Sequence, residues 1–437
     1  MIKLKRLNHN FRSVNFMSIN NDIRNLLDIQ DKNILFCKNA VTTVTYHQRK
    51  IKKVNAVLTY IPKCCERCGI INTNFTVVKN GTKTSMILLP RTSHFDTYLN
   101  LKKQRFYCKA CQETFTARTT VIEPGCHLSI AIKRLTLLYL SDISSIKTIS
   151  KRVGISISTT LRVLNTLENQ HQTDWMHLPE VLCFDEVRLT SNVLGGLSFI
   201  YLDEKSGKIL DILPDRRQTT LKSHFLHYPK EVRDKVKYIV IDMNASYETV
   251  IKTVFPNAAI ILDRFHIVQL FQRSLSSTRV NVSKQLSYKK DALVLKRYWK
   301  KFNKYSDKLD YKNYKHFSLF KGLFTEQDLI DRLLAYSPEL SDAYDIYQAI
   351  IRIIKYKKTE EFLPFLEELE KKGTPNDLFK TSVQSIIKHK EHILNAISYS
   401  YSNATLEGIN NKIKVIKRVS FGYRTFNSFR NRIFITA

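Results

Sequence analysis

The sequence is poor in acidic residues. Aspartate and glutamate number 39 against 70 lysines and arginines in 437 residues, which gives a formal net charge of +31. The basic excess recurs along most of the chain, so it predicts a polyanionic partner: nucleic acid, an anionic membrane surface or a ribosome. An aromatic content of 11% among these charges favours nucleic acid.

Long apolar runs are also missing. No stretch reaches the roughly 18 to 20 apolar residues that a membrane span requires. The N-terminal stretch MIKLKRLNHNFRSVNF is polar throughout, so we expect no signal peptide. These two absences predict a cytoplasmic protein that does not enter a membrane. We interpret residues 1–40 as an N-terminal arm and a short helix, with Met17 as the expected functional start.

Cysteines are too few for a disulfide-stapled fold, since the chain has eight of them in a length that allows a sizeable core. Four form two Cys-x-x-Cys pairs within residues 41–126, a stretch with mostly strand-like patterning and Asn80-Gly81 as a predicted hairpin turn. Thiolates at this spacing can hold one tetrahedral structural zinc, in preference to free thiols or a redox pair. The predicted zinc ligands are Cys65, Cys68, Cys108 and Cys111. Weaker alternatives are Cys64, Cys126 and His127.

Residues 127–170 have the pattern of a helix-turn-helix. After a helical stretch at Leu128–Leu140, Gly154 permits a turn and Ser156 caps the following helix. The residues predicted to face inward are Ile146, Ile149, Val153, Ile157, Leu161 and Leu164. The residues predicted to be exposed toward a DNA major groove are Ser158, Thr159 and Arg162. An ordinary pair of antiparallel helices is the alternative.

Residues 180–278 predict an α/β domain with a ribonuclease-H-like order. Three strands joined as an antiparallel meander, Val181–Leu189, 196–203 and Lys208–Leu213, precede two strands, Tyr238–Ile241 and Ala259–Leu262, that are separated by helices. Helical crossovers make the last two strands parallel, and this order puts the first strand in the centre of the sheet.

Three acids in this framework predict a metal-dependent nuclease-like site. Asp185 lies within the first strand, Asp242 ends the fourth, and Glu407 opens an amphipathic helix at Thr405–Val419. A buried carboxylate needs a partner or a metal. Glu186 points to the opposite face of the strand. The alternative is that each acid is a turn residue or a helix cap.

Two further residues, in the sequence DRFH, are candidates for a supporting role beside the metals. Asp263 ends the fifth strand and is a rival ligand. His266 can orient Asp263, contact DNA or cap the following helix.

The remaining chain divides into a helical insertion at 279–395 and a returning segment at 396–437. From Arg279 to Lys321 there are thirteen basic residues against three acids, interleaved with aromatic rings. These side chains either bind phosphates and unstacked bases or form the core and solvated face of the insertion. The cations predicted to meet DNA phosphate after Glu407 are Lys414, Lys417 and Arg418.

Several strings of the sequence resemble those of the bacterial insertion-sequence transposases of the ISL-three group. They are CERCG, CKAC, FDE, IDMNASY, FPNAAIILDRFH, NATLEGINNKIKVIKR and FGYRTFNSFRNRI. The resemblance implies a DDE triad of Asp185, Asp242 and Glu407 that binds two Mg²⁺ or Mn²⁺ ions. It further implies cleavage of DNA 3′ ends at terminal inverted repeats and transfer to double-stranded target DNA in the nucleoid, by a homodimer or larger assembly without ATP. The competing interpretations are a non-catalytic zinc and helix-turn-helix regulator derived from a transposase, and a structure-selective nuclease of the same fold.

Overall fold

The computed structural model describes residues 21–169, 172–190, 196–243, 247–421 and 423–436. The expected start at Met17 and the arm before it lie outside these ranges, as does part of IDMNASY. The chain forms two compact units, Met1–His171 with Val415–Thr436, and Gln172–Lys414. Among the described helices, none has both the length and the apolar character needed to cross a bilayer.

The strands, in chain order, are β1 Ile34–Tyr46, β2 Arg49–Leu58, β3 Val77–Thr92, β4 Phe95–Cys108, β5 Thr114–Thr116, β6 Val181–Val187, β7 Ser198–Asp203, β8 Ile209–Leu213, β9 Tyr238–Ile241, β10 Ala259–Leu262, β11 Lys315–His316 and β12 Leu323–Phe324. The helices are α1 Ile130–Ser141, α2 Ile146–Val153, α3 Ile157–Asn165, α4 Gln218–Leu226, α5 Lys230–Arg233, α6 Glu248–Val254, α7 Arg264–Gln285, α8 Lys289–Arg297, α9 Trp299–Phe302, α10 Glu326–Leu334, α11 Pro338–Lys355, α12 Thr359–Lys372, α13 Asp377–Lys388, α14 Lys390–Ser398, α15 Ala404–Val419 and α16 Phe426–Thr436. Short 3₁₀ turns occur at Thr166–Asn169 and Ser306–Lys308.

The first unit contains a five-stranded sheet in which most neighbouring strands are antiparallel. Its order is β1-β2-β4-β3, and β5 pairs with the end of β4 beyond the part covered by β2. Alternate side chains of these strands enter one core, as expected for a sheet with one buried face. Buried members of this core include Val54, Leu58, Leu99, Leu101 and Phe106.

The predicted hairpin turn at Asn80-Gly81 is wrong. Strand β3 continues through both residues, and its pairing with β4 shifts between Lys79 and Thr82, which marks a bulge. Gly81 has a φ of +70°, a conformation that a glycine adopts at low cost and that a bulge can use as well as a turn. The actual turn between β3 and β4 lies at Ser93 and His94.

Helices α1, α2 and α3 and the C-terminal helix α16 also belong to the first unit, as do the helical residues 21–26. Helices α2 and α3 each begin at a serine whose side chain accepts a backbone hydrogen bond, Ser145 and Ser156, and α2 ends at Gly154 in the left-handed conformation. Ile146, Ile149, Val153 and Leu164 are buried in one cluster. Helix α16 packs against α1 and α3.

One inward-facing prediction for α3 is wrong. Ile157 is 47% exposed, whereas Thr160, Val163 and Leu164 are buried. The buried stripe of this short helix therefore begins one turn later than the apolar pattern suggested, because the small Thr160 fits the close approach to neighbouring helices.

The sheet of the second unit has the order β10-β9-β6-β7-β8. Strands β6, β7 and β8 form an antiparallel meander, while β9 is parallel to β6 and β10 is parallel to β9. This order agrees with the one predicted, and it leaves β6 in the centre. The residues 181–184 are all buried, and an aromatic cluster of Phe184, Phe199, Phe225 and Phe255 fills the layer between the sheet and α4 and α6.

The insertion is helical, as predicted, but it also contains the small β11–β12 hairpin. Some of its aromatic residues form a core, and others are exposed on the surface. Phe302 and Phe317 are buried, whereas Tyr288, Tyr311 and Tyr314 are exposed. The insertion therefore has an aromatic core and exposed rings on a basic surface.

Candidate active site and zinc centre

Asp185 lies near the end of the central strand β6, where it pairs across the sheet with Ile200. Burial raises the pKa of its carboxyl group to about 6, against a hydrogen bond from the Glu186 backbone N–H, 2.7 Å away, that stabilises the charge. The charge of Asp242 raises this pKa further. Carboxylates with such a perturbed pKa cluster at functional sites, so Asp185 is a candidate site residue.

Asp242 follows β9, the parallel neighbour of β6, so both strands deliver an acid to the same edge of the sheet. The Nδ1 atom of His266 lies 3.1 Å from Oδ1 of Asp242, and its Nε2 atom lies 3.8 Å from Oδ2 of Asp263. His266 therefore stands between the two aspartates. Asp263 is buried, and this burial raises its pKa, with the charge of Glu407 acting in the same direction.

Glu407 reaches this edge because the start of α15 is tied to β6. The side-chain amide of Asn403 donates to the carbonyl of Phe184 at 3.4 Å, and the Glu407 backbone N–H donates to the carbonyl of Asn403 at 2.8 Å. Asp263, His266 and Glu407 each offer one ligand atom, and these atoms lie within 4.8 Å of one another. The late helix thus brings its acid to the ends of the sheet strands.

Asn410 belongs to the site as well, although the sequence interpretation did not include it. Its Nδ2 atom donates to Oδ2 of Asp185 at 2.7 Å, and the residue is buried. Asn410 lies three positions after Glu407, so both side chains occupy one face of α15. That spacing was the available signal, but an asparagine among apolar positions is easily taken for a helix surface residue.

Glu186 is held away from this cluster. Arg216 donates to both of its carboxylate oxygens, at 2.6 and 2.7 Å, and the Tyr247 hydroxyl donates at 2.7 Å. The adjacent acids of β6 therefore have different surroundings, as the alternation of a strand requires.

The predicted residues Asp185, Asp242 and Glu407 are linked by shared neighbours. His266 contacts Asp242, and its ligand atom lies within 4.8 Å of that of Glu407. Asn410, on the face of α15 that bears Glu407, donates a hydrogen bond to Asp185. Within the described part of the chain, the three acids do not by themselves form a group with all ligand atoms inside 4.8 Å. A cleft of about 470 Å³ is lined by one of the three acids, Asp242, together with His266, Gln269 and Arg273 among others.

The four predicted zinc ligands of the first unit do converge. The sulfur atoms of Cys65 and Cys111 lie 3.8 Å apart, and those of Cys68 and Cys108 lie 3.9 Å apart. A tetrahedron with Zn–S bonds of about 2.3 Å has edges of about 3.8 Å, so the residues fit a closed zinc site. Cys64, Cys126 and His127 are not members of this group.

The thiol protonation also suits a metal. The pKa of Cys65 is lowered to about 7, first by a hydrogen bond from the Cys68 backbone. The pKa of Cys111 is raised despite a hydrogen bond from the Glu113 backbone, because desolvation and the neighbouring thiols oppose a further negative charge. A bound zinc ion would stabilise the thiolate forms of these neighbouring cysteines.

The residues predicted to contact DNA lie on helix surfaces. On α3, Ser158 and Arg162 are exposed and Thr159 is half-buried. Thr159 and Arg162 line a cleft of about 750 Å³ that Lys133 and residues of β3 also line. On α15, Lys414 and Arg418 are exposed and Lys417 is half-buried.

Comparison with known proteins gives separate matches for the zinc-binding part and the α/β part of the chain. A family described as a transposase, the ISL3 type of DDE transposase, matches residues 182–433, and the zinc-finger of the IS204/IS1001/IS1096/IS1165 transposases matches residues 61–111. The transposase for insertion sequence element IS1001 from Bordetella parapertussis is 23% identical over 367 residues, which cover 82% of this chain and 85% of that protein. A Lactococcus lactis subsp. lactis protein described as an ATP-dependent protease is 38% identical over 111 residues, so the match spans 25% of this chain and only 35% of that protein. Because the transposase family matches more than half of the residues, the chain belongs to the ISL3 family of insertion-sequence transposases.

Proposed function

We propose that the second unit is a ribonuclease-H-like catalytic domain in which Asp185, Asp242 and Glu407 form a DDE triad. The observation that carries this proposal is that Asn410 and His266 link the three acids through shared contacts. Asn410 donates to Asp185 from the face of α15 that bears Glu407, and His266 joins Asp242 to the Asp263 and Glu407 group. Three distant parts of the sequence therefore supply one acidic edge of the sheet.

The donor set suits two Mg²⁺ or Mn²⁺ ions, since these hard cations prefer carboxylate oxygens. The buried Asp185, whose pKa is raised to about 6, has a carboxylate for which a cation is the natural counterion. When bound, such ions activate an attacking oxygen and stabilise a leaving oxygen.

The protein residues have separate tasks in the proposed reaction. Asp185, Asp242 and Glu407 hold the cations, while Asn410 and His266 orient two of these carboxylates. Arg273, in the cleft beside Asp242, is placed to bind a DNA phosphate. Water attacks the phosphodiester at the end of the element and releases a 3′-OH, which then attacks target DNA in an in-line transesterification without ATP or a covalent enzyme intermediate.

The first unit provides the proposed recognition of the element ends. Helices α2 and α3 are capped by Ser145 and Ser156 and joined at Gly154, which supports a helix-turn-helix in which Ser158, Thr159 and Arg162 are the proposed contacts to base edges. The zinc centre has a folding role there. Lys414, Lys417 and Arg418 follow Glu407 along α15 and bind phosphate. Because two ends must be held together, a homodimer or larger assembly forms on the DNA.

The test is a nicking and strand-transfer assay on DNA that carries the inverted repeats flanking the gene, with Mg²⁺ or Mn²⁺. We expect Asp185→Asn, Asp242→Asn and Glu407→Gln each to abolish cutting and joining while DNA binding stays nearly intact. Glu231→Gln, an exposed acid of the same unit, is the matched control and should keep full activity.

Other results of this assay would lead to different conclusions about the triad or the function. A variant that joins ends at the wild-type rate removes its residue from the triad. Cutting without joining would make the protein a structure-selective nuclease. A wild-type protein that binds the ends but never cuts them would be a non-catalytic regulator.

A further inference from the structure

A second group of metal-ligand side chains lies apart from the three proposed catalytic acids. Glu248 comes from α6, His389 from the junction of α13 and α14, and His392 from α14. Each offers one ligand atom, and these atoms lie within 4.8 Å of one another. None of the three has a task in the proposed reaction.

The shorter of two distances in this group matches that of two ligands around an ion, and the longer one exceeds it. Nε2 of His392 lies 3.4 Å from Oε1 of Glu248, and Nδ1 of His389 lies 3.9 Å from Oε2. Both exceed the usual length of an N–H···O hydrogen bond, about 2.7 to 3.2 Å. Two ligand atoms with bonds of about 2.0 to 2.1 Å to one tetrahedral zinc lie about 3.3 Å apart.

The surroundings of the group also suit a metal. His389 is buried and the side chain of His392 is only 13% exposed, so both imidazoles are shielded from solvent. Glu248 also forms an ion pair with Lys252. Lys252 lies 2.6 Å from Oε1, but its side chain is 65% exposed and can turn into solvent when a cation arrives.

We propose that Glu248, His389 and His392 form a second transition-metal site that binds zinc or a similar borderline divalent cation. Two imidazoles and one carboxylate suit Zn²⁺, Co²⁺ or Ni²⁺ and do not suit Mg²⁺ or Ca²⁺, which prefer oxygen ligands. Three protein ligands leave the fourth position for water.

A metal at this position would join the crossover helix α6 to the end of the insertion. Helix α14 already packs on β10, and Asn395 on α14 donates to the carbonyl of Ile260 at 2.9 Å. Arg264, at the start of α7, donates to the carbonyls of Tyr399 and Ser400 just beyond α14. The site would therefore stabilise the segment of chain that leads into α15 and Glu407.

The test uses Co²⁺ as the probe in the full-length protein, prepared with one equivalent of zinc so that the four-cysteine site is filled and the second site is left open. Asp185→Asn and Glu407→Gln are included in the parent protein so that the proposed catalytic carboxylates do not take up the metal. We expect this parent to bind one additional equivalent of Co²⁺, with visible d–d bands and without thiolate charge-transfer bands, and to melt at a higher temperature when it is bound. His392→Ala should lose both effects, whereas His177→Ala, a matched exposed histidine of the same unit, should keep them.

Circular dichroism establishes that each variant is folded. If His392→Ala fails to fold, Glu248→Gln, which keeps the size of the side chain, replaces it and should show the same loss. A parent that binds no Co²⁺ while the cysteine site holds zinc would overturn the proposal. Equal Co²⁺ uptake by the parent and the folded ligand variant would overturn it too.

Discussion

Asp185 obtains its hydrogen-bond partner from a residue 225 positions later in the chain. Burial raises the pKa of its carboxyl group, and the amide of Asn410 fixes the orientation of this buried group by donating to Oδ2. A group that orients a metal-binding carboxylate in this way contributes to metal affinity without touching the metal.

Asn410→Ala should therefore weaken metal binding more than it weakens DNA binding. We expect the apparent affinity for Mn²⁺ in the nicking assay to fall about 10- to 100-fold, the usual cost of losing such a supporting partner. Asn411→Ala, at the exposed neighbouring position, is the control and should behave as wild type. An unchanged Mn²⁺ dependence in Asn410→Ala would show that the amide has no positioning role.

The raised pKa of Asp185 also has a consequence for stability. The folded protein favours the protonated form, so the stability that Asp185 contributes is present below the unfolded pKa near 3.8 and is lost as pH rises through about 6. In buffer without Mg²⁺ or Mn²⁺, Asp185→Asn should raise the free energy of unfolding by roughly 1–3 kcal/mol at pH 8 and by less at pH 5. Urea unfolding at the two pH values measures this difference, and a gain that is equal at both would contradict the assigned burial cost.

The sequence allowed the acids of the site to be predicted, but not the neighbours that join them. Asp185 and Asp242 end or interrupt apolar strands, which is a local signal. Asn410 and Arg216 become partners only after α15 and the segment beyond β8 have folded against β6, so their roles depend on tertiary contacts. The triad itself stays a prediction.

At the scale of elements, the tight turn between α2 and α3 depends on one glycine. Gly154 has a φ of +82°, and a Cβ atom there would lie 3.1 Å from Oδ1 of Asp96. Asp96 is itself paired with Arg91, whose guanidinium also donates to the carbonyl of Arg152 at 3.3 Å. The β3–β4 hairpin therefore packs directly beneath this turn.

Gly154→Ala should destabilise the first unit through both backbone strain and crowding. The left-handed conformation alone costs a residue with a Cβ atom roughly 1–2 kcal/mol. Gly125→Ala, with a φ of +74° and open space around its Cβ position, is the matched control for strain alone. We expect a lower melting temperature for Gly154→Ala than for Gly125→Ala, and equal values would show that Asp96 and Arg91 move aside freely.

Element types were more predictable than the details within them. Apolar periodicity located α2 and α3, with Ser156 as the predicted cap of α3, and apolar strands located β6 to β10, because these signals are local. The bulge at Gly81 and the β11–β12 hairpin were not predicted. In both cases the same local residues fit more than one backbone arrangement, and pairing with another segment decides between them.

For the whole molecule, the net charge of +31 dominates the expected behaviour with nucleic acid. Such a charge favours non-specific binding that weakens steeply as salt releases counterions. Specific recognition must therefore come from a few side chains placed at base edges.

Substitutions of Arg162 and Arg418 should distinguish a base contact from a phosphate contact. Arg162→Ala should weaken binding to the element ends by about 1–3 kcal/mol with little effect on unrelated DNA, because its proposed contact is with a base. Arg418→Ala should weaken binding to both DNAs and reduce the salt slope by about one, as expected for a phosphate contact. Titrations at several salt concentrations measure both, and an equal loss on both DNAs for Arg162→Ala would make it a phosphate contact.

The most direct test of the proposed centre is the location of manganese in a crystal of the protein bound to an element end. Anomalous scattering from Mn²⁺ identifies the ion without reference to the protein density. We predict anomalous peaks in contact with Asp185, Asp242 and Glu407 together. Manganese bound only by Asp263, His266 and Glu407, with Asp185 outside the coordination sphere, would contradict the proposed triad.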